Sequence, residues 1–161
     1  KQFVTVGRDG LRFWDAMTFH QTSHFRLKGH ERSAVVYLTQ RKQLVVGGEG
    51  NLGEIWNLDD KGISNHPPVS LPTGTETHPH IRFLAVSADE KWLLRSKHFK
   101  RELSLVSLTD PVPSTVAEYP DCQFAAFSPD SRLLAILRED DKTIRILELG
   151  DGAPVERHIL K

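Results

Sequence analysis

Residues 127–149 read FSPDSRLLAILREDDKTIRILEL, and this stretch decides the fold. Phe127 ends one apolar run. Ser128-Pro129-Asp130-Ser131 is a turn, because proline presets φ while the Asp and Ser side chains bond back to nearby backbone. Residues 133–137 form a second apolar run, Glu139-Asp140-Asp141-Lys142 a second turn, and residues 143–149 a third run in which Ile144, Ile146 and Glu148 share one face. Strand, turn, strand, turn, strand is the reading.

The same arrangement recurs upstream. Residues 3–6 and 11–15 are β-branched or aromatic runs joined at Asp9-Gly10, a strong hairpin signal. Residues 34–38, 44–46 and 54–58 repeat the scheme, as do 81–86, 91–95 and 102–108. Outer strands are expected at 24–27, 69–71, 115–117 and 155–160. Residues 47–51, Gly-Gly-Glu-Gly-Asn, read as a loop rich in positive φ. No segment sustains a 3.6-residue apolar period over the ~10–12 residues a helix needs. The third strands end at Trp14-Asp15, Trp56-Asn57, Val106-Ser107 and Leu147-Glu148, at spacings of 42, 50 and 41 residues. The turns Ser87-Ala88-Asp89 and Ser128-Pro129-Asp130 also lie 41 residues apart. A period of ~40–45 residues with four short strands per unit is the signature of a β-propeller blade, which buries its two faces only by stacking on neighbours.

At this point the sequence resembles the WD-repeat propeller family. Gly29-His30, Trp14-Asp15, Trp56-Asn57, Asp9-Gly10 and Ser128-Pro129-Asp130 carry the resemblance, which extends over nearly the whole chain. It implies an all-β propeller of four-stranded antiparallel blades, in units of about 1–32, 33–74, 75–118 and 119–161. It also implies a hydrogen-bonded network of His, Ser or Thr, a turn Asp and Trp within a blade, with His30, Trp14 and Trp56 in structural roles. Glu49 or Asn51 replaces the turn Asp, and the last two units lack both Gly-His and Trp. Seven blades of ~42 residues would need about 290 residues. The expectation is therefore an incomplete portion of a larger propeller, a fragment or cut chain whose other blades come from a longer chain or another copy.

Composition narrows the function classes. The 161 residues carry 21 Lys+Arg and 21 Asp+Glu, so a binder of nucleic acid driven by bulk positive field is disfavoured. The single cysteine, Cys122, cannot form an internal disulfide, which points to a reducing intracellular compartment, the cytoplasm first and the nucleus as alternative. No apolar run reaches the ~18–20 residues of a bilayer span, so no membrane association is expected.

Candidate chemistry is sparse. His66, His78 and His80 lie in loops without a Cys or carboxylate cluster, and read as solvated rather than zinc ligands. Cys122 has no base nearby in sequence and reads as a small buried residue. Glu139-Asp140-Asp141 reads as a solvated turn tip rather than a cation site. Residues 47–51 lack the Lys and Ser or Thr, and the helix, of a phosphate-binding loop. Residues 95–101, Arg-Ser-Lys-His-Phe-Lys-Arg, are basic with one aromatic, so RNA or an acidic partner is the alternative to a solvated tip. Trp92 reads as blade core. The strand starts 34–36 and 124–126 offer no convergent acid or histidine.

The resulting expectation is a non-catalytic protein–protein interaction scaffold with no cofactor and no metal. Its contacts are expected at one rim, in loops 7–10, 28–33, 47–51, 75–80, 96–101, 118–121 and 138–142, from Arg8, Glu31, Glu49, His98, Lys100, Tyr119 and Glu139. The rival readings are a subunit of a nucleoprotein assembly touching RNA through basic loops, and an enzyme-associated regulatory propeller.

Overall fold

The computed structural model describes residues 2–26, 32–48, 51–59, 62–72, 81–97 and 101–161; the side chains of 32, 33, 48, 51, 52, 82–84, 97 and 123 lie outside that description. The described chain is all β, in four successive antiparallel sheets. None of its helices could cross a membrane, because the described residues form no helix that is long and apolar enough. It divides into two compact units, Lys1–Arg82 and Phe83–Lys161.

In the first unit, β1 (Gln2–Gly7), β2 (Gly10–Asp15) and β3 (Gln21–Phe25) form a three-stranded sheet in chain order. The Arg8-Asp9 turn sets the register Gly7↔Gly10 through Gln2↔Asp15. Period-two alternation then puts Val4, Val6, Leu11 and Phe13 on one face and Phe3, Thr5, Arg12 and Trp14 on the other. The first face packs on Leu44, Val46, Trp56 and Leu58. These come from the second sheet, whose main strands are β4 (Arg32–Leu38), β5 (Gln43–Gly48) and β6 (Asn51–Asp59).

Two short strands, β7 (Gly62–Ile63) and β8 (Val69–Ser70), both pair with β6. The expected loop at 47–51 is instead largely ladder, since Gly48 pairs with Asn51. Gly53 takes φ +94, and a Cβ there would lie 2.5 Å from Leu71 Cδ1. Glycine lets the Leu71 amide reach the Gly53 carbonyl at 2.9 Å and seats β8 against β6. Residues 59–68, read as loop, therefore contain β7, which two residues are too few to announce in sequence.

The second unit holds two four-stranded sheets. The third sheet runs β9 (Ile81–Val86), β10 (Trp92–Lys97), β11 (Glu102–Ser107), β12 (Ser114–Tyr119), with β9 spanning the boundary between units. The fourth runs β13 (Cys122–Phe127), β14 (Leu133–Arg138), β15 (Ile144–Glu148), β16 (Val155–Leu160). The last strand has the predicted bounds.

One core joins the two sheets: Trp92, Leu94, Leu103 and Leu105 against Cys122, Leu134, Ile136, Leu147 and Leu149. Trp92 is core, as its place beside Leu133 in the repeat predicts. The 41-residue repeat extends to the backbone. Glu90 and Ser131 take φ +57 and +62, and Arg101 and Lys142 take +46 and +55. Each pair occupies the same turn position in successive sheets.

Candidate functional site

The turns that open β10 and β14 are built alike, from a Ser and an Asp two residues on. Ser87 Oγ donates to Asp89 Oδ1 at 2.6 Å and accepts from the Trp92 amide at 3.0 Å. Ser128 Oγ donates to Asp130 Oδ1 at 2.6 Å and accepts from the Leu133 amide at 2.9 Å. Each carboxylate also accepts a backbone N–H, from Lys91 at 3.2 Å and Arg132 at 3.1 Å. The turns touch across sheets: the Asp89 amide donates to Ser131 Oγ at 3.0 Å.

These bonds favour the ionised acids. Burial alone would raise the Asp89 carboxyl, but the Ser87 hydroxyl and the Lys91 amide outweigh it and hold it below the ordinary value. The Ser128 hydroxyl and the Arg132 amide do the same for Asp130.

Beside these turns lies a cleft of ≈ 670 Å³. It is lined in equivalent pairs from the third and fourth sheets: Asp89 and Asp130, Lys91 and Arg132, Asp110 and Asp151. Members of each pair stand 41 residues apart. Among the described residues, the carboxylates of Asp110 and Asp151 have no hydrogen bond tying them into a turn. The cleft thus combines acids held ionised, acids open to solvent and two cations around a polar cavity. Among the described residues no group of three or more His, Cys, Asp or Glu is placed to hold a metal.

The residues singled out from sequence fall elsewhere. Glu31, Glu49, His98, Lys100 and the structural His30 lie outside the described residues, as do His78 and His80. Arg8 is exposed in the β1–β2 turn, at the predicted rim position. Glu139 sits in the β14–β15 turn, where its carboxylate pairs with Arg101. Its amide donates to the Asp121 carbonyl at 3.0 Å.

Tyr119, at the end of β12, packs against the core of the second unit, and burial, with the Cys122 thiol beside it, pushes its phenol up to about 12. Of the named rim residues, the structure therefore brings Tyr119 and Glu139 to one end of the second unit. The cleft lies at the other end of the same strands.

Arg95 belongs to β10 and is 2% exposed, so it is no solvated loop cation. Asp140 and Asp141 are tied to Arg138 and to Thr143 and Arg145, an ion-paired turn rather than a cation site. Cys122 is buried, and burial pushes its thiol up to about 11, the opposite of an activated nucleophile. Trp56 Nε1 donates to Glu54 at 3.2 Å, a bond within its own strand.

The cleft was missed because its acids sit in turns. The Ser-x-Asp spacing was used to align the units, and its repetition was the signal that a second set of turn acids, Asp110 and Asp151, would recur with it.

No family model and no curated protein matches this sequence. Solved structures do. A protein from Lactobacillus plantarum is 17% identical, with TM-score 0.67, over 99% of this chain and 52% of that one. A "putative 6-phosphogluconolactonase" from Bacteroides uniformis is 15% identical, with TM-score 0.63, over 96% and 50%. One from Bacteroides fragilis is 14% identical, with TM-score 0.60, over 99% and 55%. The chain spans about half the length of these structures.

The likeness shows the fold, a β-propeller-like array of sheets. It corrects the expectation of a non-catalytic scaffold that is no enzyme, because this array occurs in proteins named for lactone hydrolysis. The argument against catalysis looked for acids at the strand starts. In this fold the polar groups gather in the turns beyond the strand ends.

Proposed function

We propose that this chain is part of a hydrolytic propeller that opens a polyhydroxylated lactone of the 6-phosphogluconolactone class. The observation that carries the reading is the likeness, along 96–99% of the chain, to two structures named for that activity. The cleft supports it chemically. Lactone opening adds water to the ring carbonyl, breaks the ring C–O bond and leaves a hydroxy acid. Asp110 or Asp151 would take the proton from the attacking water. Lys91 and Arg132 would meet the developing oxyanion or a phosphate, and the turn hydroxyls and amides would meet sugar hydroxyls.

The proposal extends to organisation and place. Residues 1–161 form one propeller segment in four blade units, and the remaining blades come from a longer chain or another copy. The narrower WD-repeat kinship is supported by Trp14 Nε1 donating to Thr5 Oγ1 at 2.8 Å, the indole–hydroxyl pair that the resemblance implies. An intracellular setting is supported by the free, buried Cys122.

The test is acid release from 6-phosphogluconolactone in a pH-stat, against the spontaneous rate, together with amide shifts on adding 6-phosphogluconate. Catalysis reduced in Asp110→Asn or Asp151→Asn, with shifts around Lys91 and Arg132, supports the reading. A folded chain with neither added rate nor shifts in the cleft overturns it.

A further inference from the structure

The fourth sheet has two apolar faces, and only one is covered. Leu134, Ile136 and Leu147 point to the third sheet and are at most 5% exposed. On the other face Phe124, Leu137, Ile144 and Leu160 stand directly opposite one another across all four strands. They are 65%, 37%, 39% and 53% exposed, and Leu133 beside them is 38% exposed. A row of large apolar side chains spanning a whole sheet is not the scattered exposure of an ordinary surface.

The repeat identifies what this face is for. In the third sheet, Ala85, Trp92, Leu94, Leu103 and Leu105 are the residues that cover the fourth. Forty-one residues later the same positions are Ala126, Leu133, Ala135, Ile144 and Ile146, which are the bare face. Trp92, Leu94, Leu103 and Leu105 are at most 7% exposed in the covered interface. The bare face is therefore a sheet-docking surface whose geometry is already realised once in this molecule. Its rim also has a template. Arg101 of the third sheet pairs with Glu139, in the second-to-third-strand turn of the fourth. The residue at the position of Arg101 in the fourth sheet is Lys142, so an acid in the corresponding turn of the docking sheet would meet it.

The first sheet offers the matching surface. Its face away from the second sheet carries Phe3, 40% exposed and stacked on Trp14 at 6.0 Å between ring centroids, with Phe19, 70% exposed, tilted against Phe3. Asp9 occupies its β1–β2 turn, the counterpart of the turn that holds Glu139. The chain also spans only half the length of the structures it resembles, so two copies supply one full complement of sheets.

We infer that the bare face of the fourth sheet, Phe124, Leu133, Leu137 and Ile144 with Lys142 at its rim, docks on the outer face of the first sheet of a second copy of this chain. The contact is heterologous, fourth sheet to first, and is independent of the hydrolytic reading.

Sedimentation equilibrium of the purified chain tests this. The wild type should show a mass above one 18.2 kDa chain that rises with concentration. Leu137→Asp/Ile144→Asp, and separately Phe3→Asp, should each weaken association at least about tenfold, since central apolar anchors dominate such contacts. Mixing the two defective variants should restore a one-to-one pair, because each keeps one intact face. Lys142→Glu, at an exposed turn, serves where the apolar variants do not fold, and should weaken association in a salt-dependent way. A monomer at every concentration overturns the inference and leaves the face to sheets of another polypeptide. Association that survives these substitutions overturns it too, as does a mixture that fails to pair.

Discussion

Leu133 and Leu134 are adjacent leucines on β14 with opposite surroundings, and replacing each by alanine separates the covered face of the fourth sheet from the bare one. Leu134 is 0% exposed in the core shared with Trp92, Leu105 and Leu147. Its truncation removes buried methyl groups and leaves a cavity that rigid strands on both sides cannot close, a loss of about 2–5 kcal/mol. Leu133 is 38% exposed, and the space left by its truncation opens to water rather than forming a void. Full burial of such a side chain is worth about 1.5–3 kcal/mol, so Leu133→Ala should cost roughly 1–1.5 kcal/mol, with no cavity contribution. The assay is urea unfolding followed by Trp92 fluorescence, with Trp14 and Trp56 replaced by Phe so that the signal reports the second unit alone. It is run at high dilution so that self-association contributes nothing. The midpoint should fall two to three times further for Leu134→Ala, on the order given by those two costs, at unchanged slope. Equal losses, or a larger loss for Leu133, would refute the assignment of covered and bare faces and with it the docking surface.

Three further outcomes follow from the turns and the core. Ser87 is fully buried and its hydroxyl both donates to Asp89 and accepts from the Trp92 amide, so Ser87→Ala should lower stability by about 1–3 kcal/mol in the same unfolding assay. The Asp89 carboxyl is held below its ordinary value, so its contribution is complete above about pH 4, the unfolded value, and is lost as pH falls through the lower folded value; melting temperatures taken from pH 6 down to 2 should drop less in Asp89→Asn than in the wild type. Cys122 is buried with its thiol pushed up to about 11, so Ellman's reagent at pH 8 should label the native chain slowly and the urea-unfolded chain at once, and fast native labelling would contradict the burial.

Much of the fold was legible because turn chemistry and alternation agree in the last unit. Ser128-Pro129-Asp130 closes its predicted turn by the bonds its side chains suggest, and β16 has the predicted bounds. Where glycine replaced alternation, the reading failed. Gly47 and Gly48 look like a loop, yet they continue β5, because glycine is compatible with a ladder whenever neighbouring side chains approach closely; a Cβ on Gly47 would lie 2.8 Å from Ile81 Cγ2. β7 escaped because two residues carry no period.

The site was harder to see than the fold for a reason of geometry. Binding residues were sought among charged loop tips, and Glu139 is such a tip, but its charge is taken up by Arg101. A charged residue in a turn is as often a partner for the neighbouring sheet as for a ligand, and only the three-dimensional pairing separates the two.

The same consideration joins the cleft and the docking face. Both are consequences of one repeat laid beside its copy. At one strand end, equivalent turns of the third and fourth sheets meet through Asp89 and Ser131 and leave paired acids and cations around a cavity. Along the strands, equivalent apolar rows interlock, and the last row has nothing in the chain to cover it. A sheet docked on that row by the rule that joins the third to the fourth would set its own turn against Asp130, as Ser131 is set against Asp89. A second polar cleft would then form between Asp130, Arg132, Asp151 and the incoming turn. If the cleft is where chemistry happens, the number of such sites depends on how many sheets are stacked, so association and catalysis should vary together with protein concentration.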